Sequence, residues 1–319
     1  MRAPARGSSA WAPIMSLVCG LDGCSDAEPE RVDLPAPRTG FQLGTGSFDV
    51  PAGSELQDCY YFRVPEATNV NRFEIAQAGG THHMNMFRVS EPSSFDDGEV
   101  QRGCWDSLPF QDWGLIVNSQ VSSGARGGGV VEWQLPEGVA VRLTEGELIM
   151  IQTHYVNGET QETSSGLGEV VINFHGIPDR EVTAEMGSMF ANNRNLYLKS
   201  GEDASYTSVC RVPDAIQLLA LSGHFHSRGS EFTVAVADDQ GRAGDVLYES
   251  TAWDDPPFQT LGESGVAIPA GGGLSYTCSF HNGEDYDIVF GPHVEFEEHC
   301  NLFAFYTPKL TDQGALYCF

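Results

Sequence analysis

Short apolar runs separated by turn-forming residues follow one another along the chain from about residue 41. Many of them alternate apolar and polar positions with a period of two, which is typical of strands that bury one face. Val, Ile, Phe and Tyr dominate the runs, and turn signals such as DDQGR at 238–242 lie between them and predict hairpins. The clearest runs are YYFRVP (60–65), RFEIAQ (72–77), MNMFRV (84–89), VAVRL (139–143), ELIMIQTHYVN (147–157), QLLALSGHFH (217–226), LSYTCSFHN (274–282) and NLFAFYTP (301–308).

This pattern predicts an all-β protein that lacks a long helix. The length of 319 residues is enough for two domains. We expect two tandem antiparallel β-sandwiches, jelly-roll-like in form, over residues 41–180 and 181–319. Residues 25–40 form a Pro-rich linker in this interpretation.

Residues 1–24 have the pattern of an export signal. A small positive region is followed by a short apolar stretch at 10–21, too short to span a bilayer. The sequence LDGC at 21–24 resembles a bacterial lipoprotein box, with Cys24 as the lipidated residue, although Asp22 fits that box poorly. A plain signal peptide and a Cys19–Cys24 pair are alternatives. We expect an exported protein, secreted or in the bacterial cell envelope, whose membrane contact is limited to a lipid at Cys24.

The charge balance argues against several function classes. The chain has 17 Lys and Arg against 44 Asp and Glu, a net charge of -27, so nucleic acid is not an expected partner. The acidity serves solubility or, as a second interpretation, attracts cations.

The chain contains no HExxH, no P-loop and no GxSxG motif, so zincin, nucleotide-binding and serine-hydrolase functions have no support.

Six cysteines follow the leader. An even number in an exported chain predicts three disulfides, and the sequence alone allows fifteen pairings. No two cysteines form a CxxC, which argues against a thiolate zinc site or a redox dithiol. The six are Cys59, Cys104, Cys210, Cys278, Cys300 and Cys318.

Three groups of histidines lie on strand-like segments. His224 and His226, two residues apart, leave the same face of a strand and can converge on one ion. The adjacent His82 and His83 can do so only where the backbone is distorted, which Gly79 and Gly80 make plausible. His154 stands alone on a third strand-like run, IMIQTHYVN, where a hydrogen-bonded core histidine is the alternative. Each motif alone is more often a surface or hydrogen-bonded feature than a metal site, but three such groups among nine histidines favour a metal centre.

These motifs, in this order, resemble those of the copper type II, ascorbate-dependent monooxygenases, the family of peptidylglycine alpha-hydroxylating monooxygenase and dopamine beta-monooxygenase. The resemblance runs from about residue 45 to the C-terminus. It is carried by HHM at 82–84, by LPEGVAVRLTEGELIMIQTHYVN at 135–157, by GHFHSRG at 223–229 and by the segment from TCSFHN to EEHCNLFAFYTPK.

The resemblance implies one copper in each sandwich, the two sites facing each other across a solvent-filled cleft. The first copper would take His82, His83 and His154, and the second, oxygen-activating copper would take His224 and His226. The implied disulfides are Cys59–Cys104, Cys210–Cys318 and Cys278–Cys300. Such staples would also form in a sandwich without copper.

The chain departs from the family at the second copper. Where the family has Met in an EMCN segment, this chain has His299, which we expect to be the third ligand. Imidazole accommodates Cu(II) better than a thioether does, so the site should be harder to reduce, and it would also suit zinc. The carboxylates Glu295, Glu297 and Glu298 are interpreted as a solvated rim. His281 and His293 are interpreted as loop residues, with a role beside the metal as the alternative.

A second departure concerns the substrate. Ser222 and Phe303 stand where the peptide-acting member has an Arg and a Tyr that hold a peptide carboxylate, so a C-terminal glycine peptide is a poor match. Asn301 is retained, and Gln152 matches a residue that lines the cleft. The resemblance therefore implies hydroxylation of a C–H bond of a small-molecule substrate by O₂, with two copper ions and ascorbate or a similar reductant. The alternatives are an exported copper-binding protein without turnover and a β-sandwich scaffold without metal.

Overall fold

The computed structural model describes residues 32–104, 113–119, 129–158 and 166–319. Across these residues the chain is built of strands, with one 3₁₀ turn at Asp179–Glu181, and this confirms the all-β prediction. The first half contains β1 (Gly40–Gly44), β2 (Phe48–Val50), β3 (Glu55–Arg63), β4 (Thr68–Gln77), β5 (Thr81–Arg88), β6 (Val100–Gln101), β7 (Gly114–Ser119), β8 (Gly129–Gln134), β9 (Val139–Leu143), β10 (Leu148–Val156), β11 (Gly166–Gly168), β12 (Val170–Ile177) and β13 (Ala184–Glu185).

The second half contains the remaining strands. The DDQGR segment closes a hairpin between two of them, as predicted, and the amide of Gly241 donates to the carbonyl of Asp238 there at 2.9 Å. The strands are β14 (Gly187–Asn192), β15 (Tyr197–Leu198), β16 (Asp203–Arg211), β17 (Ile216–His224), β18 (Gly229–Ala237), β19 (Ala243–Ser250), β20 (Gln259–Thr260), β21 (Val266–Ile268), β22 (Gly273–His281), β23 (Ile288–Val289), β24 (Asn301–Thr307) and β25 (Ala315–Cys318).

Each half contains two main sheets. In the first half, β1-β12-β4-β9-β13 forms one sheet, with β8 paired to β4, and β6-β3-β10-β5-β7 forms the other. In the second half, β20-β17-β24-β14-β25 forms one sheet, with β21 paired to β17, and β16-β22-β18-β19 forms the other. Nearly all pairings are antiparallel, so each half is a sandwich whose inward residues build its core.

The two halves share apolar packing. Leu219, Phe303 and Phe305, from β17 and β24, belong to the same buried cluster as the core of the first half. The ring of Trp133 lies 4.8 Å from that of Phe305 between ring centroids. One sheet of the second half therefore packs against the first half, and this contact brings β5 and β10 close to the ends of β17 and β24.

The described part of the predicted linker, residues 32–40, packs along the first sandwich. The amide of Val32 donates to Glu169 Oε2 at 3.0 Å, and Asn173 Nδ2 donates to the carbonyl of Pro35 at 2.8 Å. This portion is thus fixed to the sheet by hydrogen bonds. The expected export signal, including Cys19 and Cys24, lies outside the described residues.

Three disulfides join the pairs that the resemblance implies: Cys59–Cys104, Cys210–Cys318 and Cys278–Cys300. They are compatible with an exported protein. Within the described residues, no helix has the length and apolar character needed to cross a membrane.

Candidate metal centre

A β-bulge turns His82 and His83 towards the same region. Along β10, His154 is opposite His83, while Tyr155 is opposite Thr81, so His82 is the extra residue. The bulge follows Gly80, whose φ of +88° favours glycine. In a regular strand the two side chains would leave opposite faces, but here their ring centroids lie 5.2 Å apart. The structure contains the distortion that the sequence required for both rings to face one ion.

His154 lies beside this pair on the neighbouring strand. Its Nδ1 is 3.1 Å from His83 Nε2, and its Nε2 is 2.6 Å from Glu55 Oε1. A carboxylate only accepts, so Nε2 of His154 carries the proton and donates it. Nδ1 therefore keeps its lone pair, and a cation can replace the proton between Nδ1 and His83 Nε2. We call His82, His83 and His154 the first histidine set.

The second histidine set, His224, His226 and His299, comes from the ends of paired strands. His224 is the last residue of β17 and lies opposite Asn301, the first residue of β24. His226 follows β17 and His299 precedes β24, so both reach the same end of the sheet. Ring centroids are 4.3 Å apart between His226 and His299 and 5.5 Å apart between His224 and His299.

The two sets meet in one buried histidine cluster. The ring of His224 lies 4.9 Å from that of His82 and 5.0 Å from that of His83, between centroids. All six side chains are buried, and none is more than 4% exposed. The resemblance implies two sites across a solvent-filled cleft, whereas the structure places the sets in contact, because the sheet of β17 and β24 packs directly against the first sandwich.

Burial sets the charge of the cluster. Desolvation, together with repulsion from the neighbouring imidazoles, lowers the pKa of His82, His83, His224 and His299 well below the usual 6.5. Burial also lowers the pKa of His226 to about 3. These five rings are therefore neutral near pH 7, which is the form that binds a metal ion.

Several ring nitrogens in the cluster have no hydrogen-bond partner among the described residues. They are His82 Nε2, both nitrogens of His224, and His226 Nε2. His226 Nδ1 donates to the carbonyl of Glu297 at 2.9 Å, which leaves the lone pair on the unpartnered Nε2. Buried nitrogens without partners are costly in a protein interior unless they serve another purpose, and metal binding is such a purpose.

Two groups of three histidines have ligand atoms within 4.8 Å of one another. One is His82, His83 and His224, and the other is His224, His226 and His299. The second group is the predicted second site. In the first group His224 joins His82 and His83, and His154, which the resemblance implies as the third ligand of that site, lies next to them with its Nδ1 3.1 Å from His83 Nε2. Imidazole-only sites of this kind suit copper or zinc, so the residues fit the implied metal.

Glu298 does not belong to a solvated rim, and that expectation is wrong. Its side chain is fully buried, and it accepts the backbone N–H groups of His226 (2.8 Å), Arg228 (3.0 Å) and His299 (3.1 Å). Burial raises its pKa to about 7, although these hydrogen bonds oppose the rise. Glu298 thereby ties the turn after β17 to the segment before β24 and fixes the spacing of two histidines.

Glu55 is the other acidic residue that sequence reasoning missed. It also accepts the N–H of Val294 at 3.3 Å, so it connects the first histidine set to the second half. Burial raises its pKa, but the hydrogen bond and charge of His154 outweigh this and lower it overall. Its place in the sequence gives no signal of this role, because the pairing that sets Glu55 across from Val156 of β10 exists only in the folded sheet.

Gln152 and Asn301 are buried near the cluster and do not line an open cleft. Gln152 Oε1 accepts from Asn85 Nδ2 at 3.0 Å, and Asn85 Nδ2 lies 3.4 Å from His83 Nδ1. Asn301 faces His224 across the β17–β24 pair. Gln152 therefore positions Asn85 beside His83, whereas Asn301 Oδ1 has no hydrogen-bond partner among the described residues.

The residues that differ from the peptide-acting member form no anion site. Ser222 is buried and accepts a 3.4 Å hydrogen bond from Asn118 Nδ2, and Phe303 stacks on Phe190 with centroids 5.0 Å apart. His281 was expected in a loop, but it is the last residue of β22, where its exposed ring lies with Nδ1 2.7 Å from Asp203 Oδ1 and outside the histidine cluster. His293 is half-exposed and lies 3.9 Å from Glu55, the partner of His154.

No family model and no curated protein matches the chain. Solved structures with a low level of similarity include the STIV MCP, at 7% identity and a TM-score of 0.36, covering 84% of this chain and 97% of that one. Peptide: N-glycanase F has 9% identity and a TM-score of 0.32, with coverage of 85% and 97%. The PBSX exported protein XepA has 8% identity and a TM-score of 0.25, with coverage of 87% and 92%. Likenesses at this level carry no functional argument.

Proposed function

We propose that the protein is an exported, copper-dependent monooxygenase that hydroxylates a C–H bond of a small-molecule substrate, with O₂ and an external reductant such as ascorbate. The observation that supports this most directly is the buried histidine cluster. Five of its rings are held neutral, and several ring nitrogens have no other described partner. Six of the nine histidines of the chain lie in this one buried cluster.

The chain's residues would hold two ions and fix the direction of each ring. His82, His83 and His154 supply the first site, and His224, His226 and His299 supply the second. When bound, copper would store an electron at one site and activate oxygen at the other. Glu55, Glu298 and the Glu297 carbonyl select the ring nitrogen or the backbone position of the ligands, as partners of metal ligands commonly do.

Substrate access requires movement. The cluster is buried, and the ring of Trp253 lies 6.0 Å from that of His82 between centroids. Gln57 Nε2 donates to the carbonyl of Pro292 at 3.2 Å, and Glu55 binds the amide of Val294. An organic substrate must displace either Trp253 or the segment at residues 292–294 before it reaches the ions. Ser222 and Phe303 occupy the positions where the peptide-acting family member holds a peptide carboxylate. We therefore propose a substrate that has no free carboxylate to be bound there.

A second candidate function is an exported copper-binding protein that buffers or senses the metal without turnover. Two observations favour it. His299 replaces a thioether with an imidazole, which stabilises Cu(II), and the cluster is closed to solvent. Both functions place the protein outside the cytoplasm, and lipidation at Cys24 would hold it in a bacterial cell envelope.

The deciding experiment combines metal analysis with an oxygen assay. The full-length protein is loaded anaerobically with copper, its copper content is measured, and oxygen consumption is followed with ascorbate. Two copper ions per chain and oxygen consumption above that of free copper support the monooxygenase. Two ions without consumption favour the binding protein. A chain that retains no metal after purification from copper-containing medium rejects both and leaves the scaffold hypothesis.

A further inference from the structure

His224 has a unique place in the histidine cluster. It belongs to both groups of three whose ligand atoms lie within 4.8 Å, one with His82 and His83 and the other with His226 and His299. It sits at the end of β17, where the second sandwich meets the first. No other histidine is common to both groups among the described residues.

Both ring nitrogens of His224 are buried and without a hydrogen-bond partner among the described residues. Other members of the cluster have one nitrogen engaged: His226 Nδ1 donates to Glu297, and His154 Nε2 donates to Glu55. Those rings can offer one nitrogen to a metal. His224 is 1% exposed, and its ring centroid lies 4.9 Å from that of His82 and 5.5 Å from that of His226. Its two unpartnered nitrogens can therefore be offered to two ions, one for each group of three.

We propose that His224 bridges two metal ions as an imidazolate, one ion held with His82 and His83 and the other with His226 and His299. This inference rests on the proposed two-copper function. Each nitrogen lone pair goes to one ion, and the proton that a neutral ring carries on its second nitrogen is released to solvent. No electron is transferred in this step. The bridge satisfies both buried nitrogens at once and places a conjugated ring between the two ions.

The bridge predicts magnetic coupling. Two Cu(II) ions joined by one imidazolate share spin density through the ring, whereas ions across a solvent-filled cleft behave independently. The full-length protein is titrated with Cu(II), and the paramagnetic resonance signal is integrated at each copper content. We expect the signal to rise with the first ion and then fall as the second binds, with a half-field line in the fully loaded protein.

Replacement of His224 identifies the bridging group. His224→Gly leaves a space into which free imidazole or 1-methylimidazole can be added. Imidazole has two nitrogens that can bind metal after loss of its proton, and 1-methylimidazole has one. We expect imidazole to restore the coupled spectrum and 1-methylimidazole to restore copper binding without coupling. His281→Gln, at an exposed histidine, should behave as the unaltered protein.

The outcomes separate this inference from the proposed function. Two bound copper ions whose signals add independently overturn the bridge and leave the two-copper function standing. Coupling that persists in His224→Gly without any added base, or that 1-methylimidazole restores as fully as imidazole, also overturns it. A protein that takes up no second copper rejects the two-copper function itself. If His224→Gly does not fold, the copper titration of the unaltered protein still decides.

Discussion

The rings of His82 and His224 lie 4.9 Å apart between centroids, although His82 belongs to the first sandwich and His224 to the second. This contact makes one cluster of two histidine sets that are distant in sequence. Its cause is the apolar packing of β17 and β24 against the first half, where Phe305 meets Trp133. Metal binding and the association of the two sandwiches should therefore stabilise each other.

His299→Met should make the second site easier to reduce. A thioether favours Cu(I), and imidazole accommodates Cu(II). We expect the midpoint potential of one copper to rise, by about 59 mV for each tenfold change in preference. A redox titration of the copper-loaded protein measures it. His281→Met, at an exposed site, serves as the control, and equal potentials in all three proteins would show that His299 is not a ligand.

Glu55→Gln should weaken the first site. The amide can still form a hydrogen bond to His154, but it no longer selects the proton on Nε2, which leaves Nδ1 for the metal. We expect copper affinity at one site to fall by about 10- to 100-fold, the range for loss of such a partner. Competition with a copper chelator measures the affinity. The exposed Glu66→Gln provides a matched change of charge. Unchanged affinity in Glu55→Gln would exclude this role for Glu55.

Loss of the Cys278–Cys300 disulfide should affect the second site beyond its effect on stability. Cys300 directly follows His299, so the disulfide holds this ligand in place. Its cysteines are 22 residues apart, and chain entropy predicts that such a bond adds about 3 kcal/mol to the free energy of unfolding. Removal of Cys210–Cys318, whose cysteines are 108 residues apart, should lower the free energy of unfolding by about 5 kcal/mol by the same reasoning. It should leave the copper sites intact. Urea unfolding and copper counting of the two double Cys→Ala variants test this. Equal copper content in both variants would contradict it.

Acid should destabilise the metal-free protein. The pKa of His226 is about 3 in the fold and 6.5 ordinarily, so the unfolded chain binds the proton more tightly. The free energy of unfolding therefore falls as pH drops below 6.5, by about 1.4 kcal/mol per pH unit for each such histidine. His82, His83, His224 and His299 act in the same direction.

Glu298 opposes this trend between pH 7 and pH 4.5, that is, between its pKa of about 7 in the fold and the ordinary carboxyl pKa of 4.5. Its pKa is raised, so the fold binds that proton more tightly and gains stability as the pH falls, which offsets the loss from one histidine. Five histidines outweigh one carboxyl group. Urea midpoints measured from pH 7 to 4.5 should decline steadily. A flat profile would show that the histidines are not held neutral by burial.

Much of the fold was predictable from local sequence. Period-two alternation predicted strands such as β10 and β24, because the two faces of a strand alternate between core and surroundings. The requirement for a bulge at His82 and His83 was also predictable, since adjacent side chains in a regular strand diverge. The β-bulge opposite His154 and Tyr155 confirms it.

The roles of Glu55 and Glu298 could not be predicted in this way. Glu298 stands among other carboxylates and was expected to be solvated, yet three backbone N–H groups surround it in the interior. Those donors come from residues about 70 positions away and from its own neighbour, so only the folded chain assembles them. The same is true of Glu55, whose partners are His154 and Val294.

The sequence by itself determined the strands, the presence of three histidine groups and, through the resemblance, the disulfide pairs, because these depend on residue type and on order along the chain. Only the tertiary structure decided how far apart the two histidine sets lie. That distance depends on how one sandwich packs on the other, which is set by apolar side chains spread over both halves. The same packing brings His224, a member of the second set, into contact with His82 and His83 of the first set.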